Sequence, residues 1–422
     1  MSPAVLIQNS SQLLTFAGED HPRRGKEMSS LGLVRQGAVL IQDGKILAAG
    51  VKELVLSRPE AKCAEVIDAK GKVVLPGFVD SHSHPVFAGP RLADFEGRLQ
   101  GLGYAELAGR GGGILSTVHG VRQATEAQLA AGLRLSARRF LEAGTTTLEA
   151  KSGYGLDLES ELKILRVIRT VGAEGPLELV PTFIGAHAVP AELKDRPEEY
   201  LRRVCEDMIP AAAREKLASF VDVFCDQGYF SLEDARRVFE ASSRAGLGLK
   251  IHAEQLSRSG ASRLAAEAGA ASADHLDFAG PEAIGALAAG GTVACLVPGS
   301  NYFLGKPYPP ARALIDAGAA VALATDFNPG TCPCWDMRMI LSIATTQMRL
   351  SPAEALCAAT VNGAWALGLG KTHGTLEAGR RGDLVIYDAE DYREIPYYFG
   401  SGGALLTLKG GQVVHRAAGF LP

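Results

Sequence analysis

Eight apolar, β-branched runs alternate with amphipathic stretches of helical period between Val73 and Gly330, and no other feature constrains the fold as much. The runs are VVLPGFVDSHSH, TTTLEAKSGYG, LELVPTFIGAH, FVDVFCDQGYF, LGLKIHAEQ, ASADHLDF, TVACLVPGSNYF and AVALATDFNPG. Near-continuous apolar strands, each followed by a helix or long loop, predict a parallel sheet buried on both faces. For eight such units a closed (β/α)8 barrel is the economical solution, with its active site at the C-terminal strand ends. An open doubly wound sheet is the structural alternative, but no G-x-G-x-x-G opens a helix after the first strand. Helix starts are marked by capping boxes at Thr125–Gln128 and Ser351–Glu354, and helix stops by Gly144 and Gly246.

The two ends of the chain have a different texture. GAVLIQDGKILAAG alternates around Asp43-Gly44, and LLTLKGGQVVH around Gly410-Gly411, both hairpin patterns. Strands from both ends are expected to pair into one small β-sandwich. The expected organisation is therefore residues 1–74 as its first part, 75–371 as the barrel, and 372–422 as its second part. A net charge of −4 gives no global attraction to nucleic acid or to an anionic membrane. The longest apolar stretch, Ala283–Leu296, is Gly-rich and stops at Pro298, short of a membrane span. Seven cysteines with no secretory pattern suggest reduced thiols in a cytoplasmic protein. Cys332 and Cys334 lack a second pair, which is poor zinc spacing.

The polar residues fall at the strand ends. His82 and His84 close the first run, His187 the third and His252 the fifth; His275 lies on the sixth and Asp326 ends the eighth. Positions i and i+2 of a strand face the same side, so His82 and His84 can chelate one ion at the barrel mouth. Five of the nine histidines thus converge with an aspartate on one rim. Neutral imidazoles with a carboxylate suit zinc or another first-row divalent metal. Such an ion acidifies a water and polarises a carbonyl, so hydrolysis of an amide, amidine or deaminable ring is the natural reaction class. Asp326 or His275 could serve as the general acid/base. The fourth run ends in Cys225, Asp226 and Gln227 with no lysine to bridge two ions, and Lys151, on the second strand, reads as a pocket or ion-pair lysine. One metal is expected.

PGFVDSHSHPVFAG, the strand-end histidines, ATDFNPG and the closing GTLEAGRRGDLVIYD together resemble the amidohydrolase superfamily, in its mononuclear metal branch. Four further segments are similar to the members that open imidazolone rings: FAGPRLADFEGRLQGLGYAEL with AGRGGGILSTV, EAKSGYGLD, TFIGAHAVP and ATDFNPGTCP. The resemblance implies hydrolysis of the cyclic amide of 4-imidazolone-5-propanoate to N-formimidoyl-L-glutamate in histidine degradation. It implies one divalent metal per chain, zinc or iron, held by His82, His84, His252 and Asp326. It also implies substrate contacts from Arg91, Tyr154, His187, Gln255, Asn328, Gly330 and Thr331, and a homodimer. Relatives carry Glu or Gln at the Gln255 position; Gln cannot act as an ionised base, so Gln255 is assigned orientation only.

The substrate so implied, a small planar amide bearing a propionate, suits these residues. Arg91 leaves the metal strand in a loop where its guanidinium fork could grip a carboxylate. Gly153 and Gly155 flank Tyr154 and permit close backbone approach. Gly111–Gly113 read as part of a mobile loop over the mouth, because no P-loop lysine follows. In the implied mechanism Asp326 moves the proton and His275 stabilises the oxyanion. The competing readings are another cyclic-amidine or nucleobase deaminase of the same superfamily, and a catalytically inactive barrel scaffold.

Overall fold

The structure is a computed structural model that describes residues 3–421, other than 104, 105, 107, 108 and 110. Parts of the GLGYAEL and AGRGGG segments therefore lie outside the described residues. The eight runs form eight parallel strands in sequence order: Phe78–Asp80, Thr145–Lys151, Glu178–Ala186, Phe220–Cys225, Gly248–Ala253, Ser272–His275, Val293–Leu296 and Val321–Leu323. The fold is the expected (β/α)8 barrel. Its first and last strands meet through the segments that follow them. Asp326 N donates to His82 O at 2.9 Å, and His84 N donates to Phe327 O at 2.9 Å. The Asp80 carboxylate accepts from Thr325 N (3.0 Å) and Thr325 Oγ1 (2.6 Å), which fastens the seam from below.

The first strand is shorter than its run. His82 and His84 lie beyond Asp80, in seam backbone where Ser83 bridges Phe327. The expectation that both histidines end a regular strand is corrected to that extent: the chain leaves the sheet early in order to close the barrel.

Alternation along the strands separates two kinds of interior. Val221, Val223, Ile251, Ala253 and Ala273 join the apolar core, which also takes in Ile164, Leu165 and Ile168 of the helix Leu158–Glu174. The intervening positions hold Glu149, Lys151, Asp222, Lys250 and Asp274, all 0% exposed. The barrel is thus filled by charge where branched aliphatics are usual. Lys250 Nζ donates to Glu149 Oε2 at 2.7 Å and to Ser81 O at 2.8 Å, and Thr182 Oγ1 donates to the other Glu149 oxygen at 2.5 Å.

The terminal strands build two sheets. One has four strands (Lys45–Val51, Gly37–Gln42, Val5–Gln8, Glu65–Asp68) and the other six, including Val73–Pro76 beside Leu384–Tyr387. Ile7, Val39, Ile41, Leu13, Val74, Leu384 and Leu406 share a core between them. Both expected hairpins form, with positive φ at Asp43, Gly44, Gly410 and Gly411. Residue 74 falls inside the strand Val73–Pro76, which runs on toward the barrel. The segment around the short 3-10 turn Gly25–Ser29 leaves the sheets altogether: Phe16, Met28 and Leu31 pack into the barrel core, and Asn362 hydrogen-bonds both backbone groups of Arg23. His373, which the sequence leaves without a convergent context, is buried beside Glu178 (3.0 Å); Lys409 ties Glu178 to Asp383, joining the foot of the barrel to the six-stranded sheet. Among the described residues no helix is long and apolar enough to cross a membrane.

A buried charge that loses its partner is costly, whereas an exposed pair contributes little. Lys250→Met should lower stability by about 3–5 kcal/mol, because it takes from the buried Glu149 the ammonium that pairs with its Oε2 and leaves it Lys151 alone. Arg134→Ala, which breaks the half-exposed pair with Glu174, should change it by less than about 1 kcal/mol. Denaturant titration of both variants checks the contrast, and equal losses would contradict it.

Candidate active site

At the C-terminal mouth, above the charged interior, six predicted residues come together. Ligating atoms of His82, His84 and Asp326 lie within 4.8 Å of one another, as do those of His82, His252 and His275, and those of His84, His187 and His252. The seam supplies three of these residues directly, since His82, His84 and Asp326 are joined by its backbone hydrogen bonds. His252 is the penultimate residue of the fifth strand, and His275 ends the sixth. His275 (φ 78°) and Asp326 (φ 52°) both adopt the left-handed region, which costs a non-glycine residue about 1–3 kcal/mol.

The nitrogens fit a cation. His84 Nε2 and His252 Nε2 face each other at 3.3 Å, and two bonds of about 2.0–2.1 Å at a tetrahedral angle would span a similar distance. His82 Nε2 is buried without a hydrogen-bond partner among the described residues, 3.7 Å from Asp326 Oδ1. Its other nitrogen is engaged, with Nδ1 2.6 Å from Asp274 Oδ2. Burial holds the imidazoles of His82, His84 and His252 well below their ordinary pKa, so each is neutral at physiological pH. Burial likewise pushes His187 and His275 down to about 4. It lifts the Asp326 carboxyl well above the usual carboxylate range, against the opposing hydrogen bond from Asn328.

The loop after the eighth strand is held by Asn328. Its Nδ2 lies 3.0 Å from Asp326 Oδ1, 2.7 Å from Asp326 O and 2.7 Å from Thr331 Oγ1. Its Oδ1 accepts from Gly330 N and Thr331 N. Both ends of this amide are thus committed to the loop and to Asp326. Across the mouth, Arg91 Nε donates to Thr117 Oγ1 at 2.7 Å, which leaves the two terminal guanidinium nitrogens available. A Cβ at Gly330 would stand 2.3 Å from Arg91 Nη1, so glycine there is what admits the guanidinium. The same group lies over the Tyr154 ring at 6.0 Å, and Tyr154 packs against His84 and His187. Arg91 also borders a cavity of about 530 Å³ lined by Gly111, Gly112, Ser116 and Thr117. Gln255 is half-buried.

Three groups escaped the sequence reading. Thr117 orients Arg91. Glu161, buried and far from any motif, accepts from Gly153 N, Gly155 N and Leu156 N and so shapes the turn that carries Tyr154. The carboxylates Asp222 and Asp274 stand behind His252 and His82. Same-face spacing in Lys250-x-His252 and Glu149-x-Lys151 offered a faint signal of the charged interior beneath the histidines, but none for the two aspartates.

A family model described as the amidohydrolase family matches residues 73–414. The chain belongs to this family, a class of metal-dependent hydrolases. Within it the chain groups with the imidazolonepropionases. The imidazolonepropionase of Solibacter usitatus (strain Ellin6076) is 47% identical over 417 residues, 99% of each chain. That of Geobacillus kaustophilus (strain HTA426) is 45% identical over 413 residues, 97% of each. Among solved structures, an atrazine chlorohydrolase of Arthrobacter aurescens TC1 in complex with zinc has a TM-score of 0.72 at 18% identity, covering 98% of this chain and 95% of that one. The last likeness is one of fold.

Protons compete with a metal for its ligands. Here the imidazoles are already neutral and Asp326 is the group that burial inclines to hold a proton, so lowering the pH should weaken metal binding through Asp326. Zn²⁺ titrations of the metal-free protein across the neutral range should show this slope, and Asp326→Asn should flatten it. An undiminished slope in the variant would place the competing proton elsewhere.

Proposed function

We propose that this chain hydrolyses 4-imidazolone-5-propanoate to N-formimidoyl-L-glutamate, the ring-opening step of histidine degradation, with one divalent ion held by His82, His84, His252 and Asp326. The observation that carries the reading is the meeting of Arg91, Gly330 and Tyr154 beside the histidine cluster, a carboxylate grip next to a metal site. Identity to imidazolonepropionases along the whole chain supports the same substrate and gives no preference to a deaminase or an inactive scaffold. Three imidazoles and one carboxylate favour zinc, with iron as the other candidate. A homodimer is part of the proposal.

When bound, the ion acidifies a water and acts as a Lewis acid on the ring carbonyl. The side chains do the rest. Arg91 takes the propionate with its two terminal nitrogens. His187 donates from Nδ1 to Gly153 O at 3.0 Å, so its neutral ring presents Nε2 as an acceptor for a ring N–H of the substrate. That contact fixes the face of attack, and Gln255, Gly330 and Thr331 complete the substrate's surroundings. Water adds to the carbonyl carbon while the bond from that carbon to the ring nitrogen breaks. Asp326 accepts the water's proton at Oδ2, since Oδ1 is held by Asn328, and delivers it to the departing nitrogen. His275, neutral because burial depresses its pKa to about 4, donates an N–H to the developing oxyanion.

Arg91→Met should leave metal content and thermal stability nearly unchanged and lower kcat/KM by on the order of 10–10³-fold, the loss of a charge-assisted bidentate contact. The defect should shrink for an analogue lacking the propionate. An equal loss on both substrates would remove Arg91 from carboxylate binding.

His275→Ala should retain the ion and lose rate by on the order of 10²–10⁴-fold. Wild-type turnover in that variant across the pH range would make His275 a structural residue of the sixth strand.

A further inference from the structure

A histidine that binds a metal through one ring nitrogen commonly donates the other to a carboxylate, which fixes its tautomer and its orientation. Two carboxylates stand in that place here. Asp274 Oδ2 lies 2.6 Å from His82 Nδ1, and Asp222 Oδ2 lies 3.0 Å from His252 Nδ1, off the line of an ideal hydrogen bond. Between them is a single cation. Lys151 Nζ is 2.6 Å from Asp222 Oδ2 and 3.4 Å from Asp274 Oδ2, the same two oxygens that face the imidazoles. Its remaining contact is Glu149 Oε1 at 3.0 Å. An ammonium can only donate; Lys151 gives hydrogen bonds to both aspartates and pairs electrostatically with Glu149. All four residues are fully buried, with no solvent to substitute for any partner.

We propose that Lys151 is a positioning residue that couples the two ligand histidines. One ammonium fixes both carboxylates, and through them holds His82 and His252 with Nδ1 protonated and Nε2 turned toward the ion. The proposal rests on the ligand assignment given under the proposed function. A carboxylate can only accept, so an imidazole facing one must place its single proton there and leave its far nitrogen free to bind a metal.

The two arms are unequal. Asp274 has further support, since its Oδ1 accepts from Ser272 Oγ at 2.5 Å and Lys250 Nζ stands 3.9 Å from its Oδ2. The other oxygen of Asp222 has no hydrogen-bond partner among the described residues, which leaves that carboxylate held by Lys151 and His252 alone. The His252 arm therefore depends on Lys151 more heavily than the His82 arm does.

The test is Zn²⁺ affinity of the metal-free protein, read by competition with a chromophoric chelator, in wild type, Lys151→Met, Asp222→Asn, Asp274→Asn and the two double variants with Lys151→Met. Lys151→Met should weaken Zn²⁺ binding by on the order of 10–100-fold. Asp222→Asn should add little further loss in that background, while Asp274→Asn should still cost affinity. A folded Lys151→Met protein with wild-type affinity, or losses that simply add for both aspartates, would overturn the coupling and leave the ligand assignment standing. Wild-type protein that binds no Zn²⁺ would instead overturn the ligand assignment, and the coupling with it. Should Lys151→Met fail to fold, ¹⁵N chemical shifts of labelled histidines in the metal-free wild type decide the matter. His82 and His252 should carry their protons on Nδ1, and protons on Nε2 would refute the proposal.

Discussion

A sheet becomes a barrel only when its first and last strands meet, and in this chain that meeting is made by the residues that carry the chemistry. Two backbone hydrogen bonds, from Asp326 to His82 and from His84 to Phe327, close the cylinder and set three candidate ligands side by side. Asp80 and Thr325 secure the seam from beneath. Asp326 is held in a left-handed conformation there, and Asn328 uses its whole amide to keep it so. Closure of the fold and assembly of the site are one constraint.

The second constraint is charge inside the barrel. Two lysines and three carboxylates, fully removed from water, occupy positions that alternation directs inward. Such groups are tolerated only when each finds a partner, and here they find one another across four strands. The network also has a direction. Its upper carboxylates meet the inner nitrogens of His82 and His252, so the outer nitrogens are left for an ion. The main apolar core lies between the sheet and the helices, while Phe220 and Phe224, on the same face as Asp222, pack beneath Lys250 and beside His252.

Much of this was legible in the chain itself. The eight runs were readable because strands buried on both faces are rich in apolar and β-branched residues, and the histidines and aspartate at their ends stand out. The hairpins at Asp43-Gly44 and Gly410-Gly411 were readable because positive φ selects for those residues. What the sequence hid depends on neighbours distant along the chain. Asp222 and Asp274 sit in ordinary strand runs, and nothing local says that a lysine from the second strand will lie between them. Glu161 looks like a solvated helix residue until its three backbone donors are in view. Phe16, Met28 and Leu31 read as part of a β-rich end, yet their apolar side chains are better buried against the barrel. The short first strand was hidden for the same reason, since the demand to close the barrel comes from the far end of the chain.

In the proposed function a single ion in the seam serves the opening of an imidazolone ring. The most direct measurement is elemental analysis of the purified protein, read beside an absorbance assay on freshly prepared 4-imidazolone-5-propanoate. The proposed function requires close to one divalent ion per chain, loss of turnover when a chelator removes it, and return of turnover when Zn²⁺ or a similar ion is restored. Full turnover by rigorously metal-free protein, or a reproducible content of two ions per chain, would contradict it.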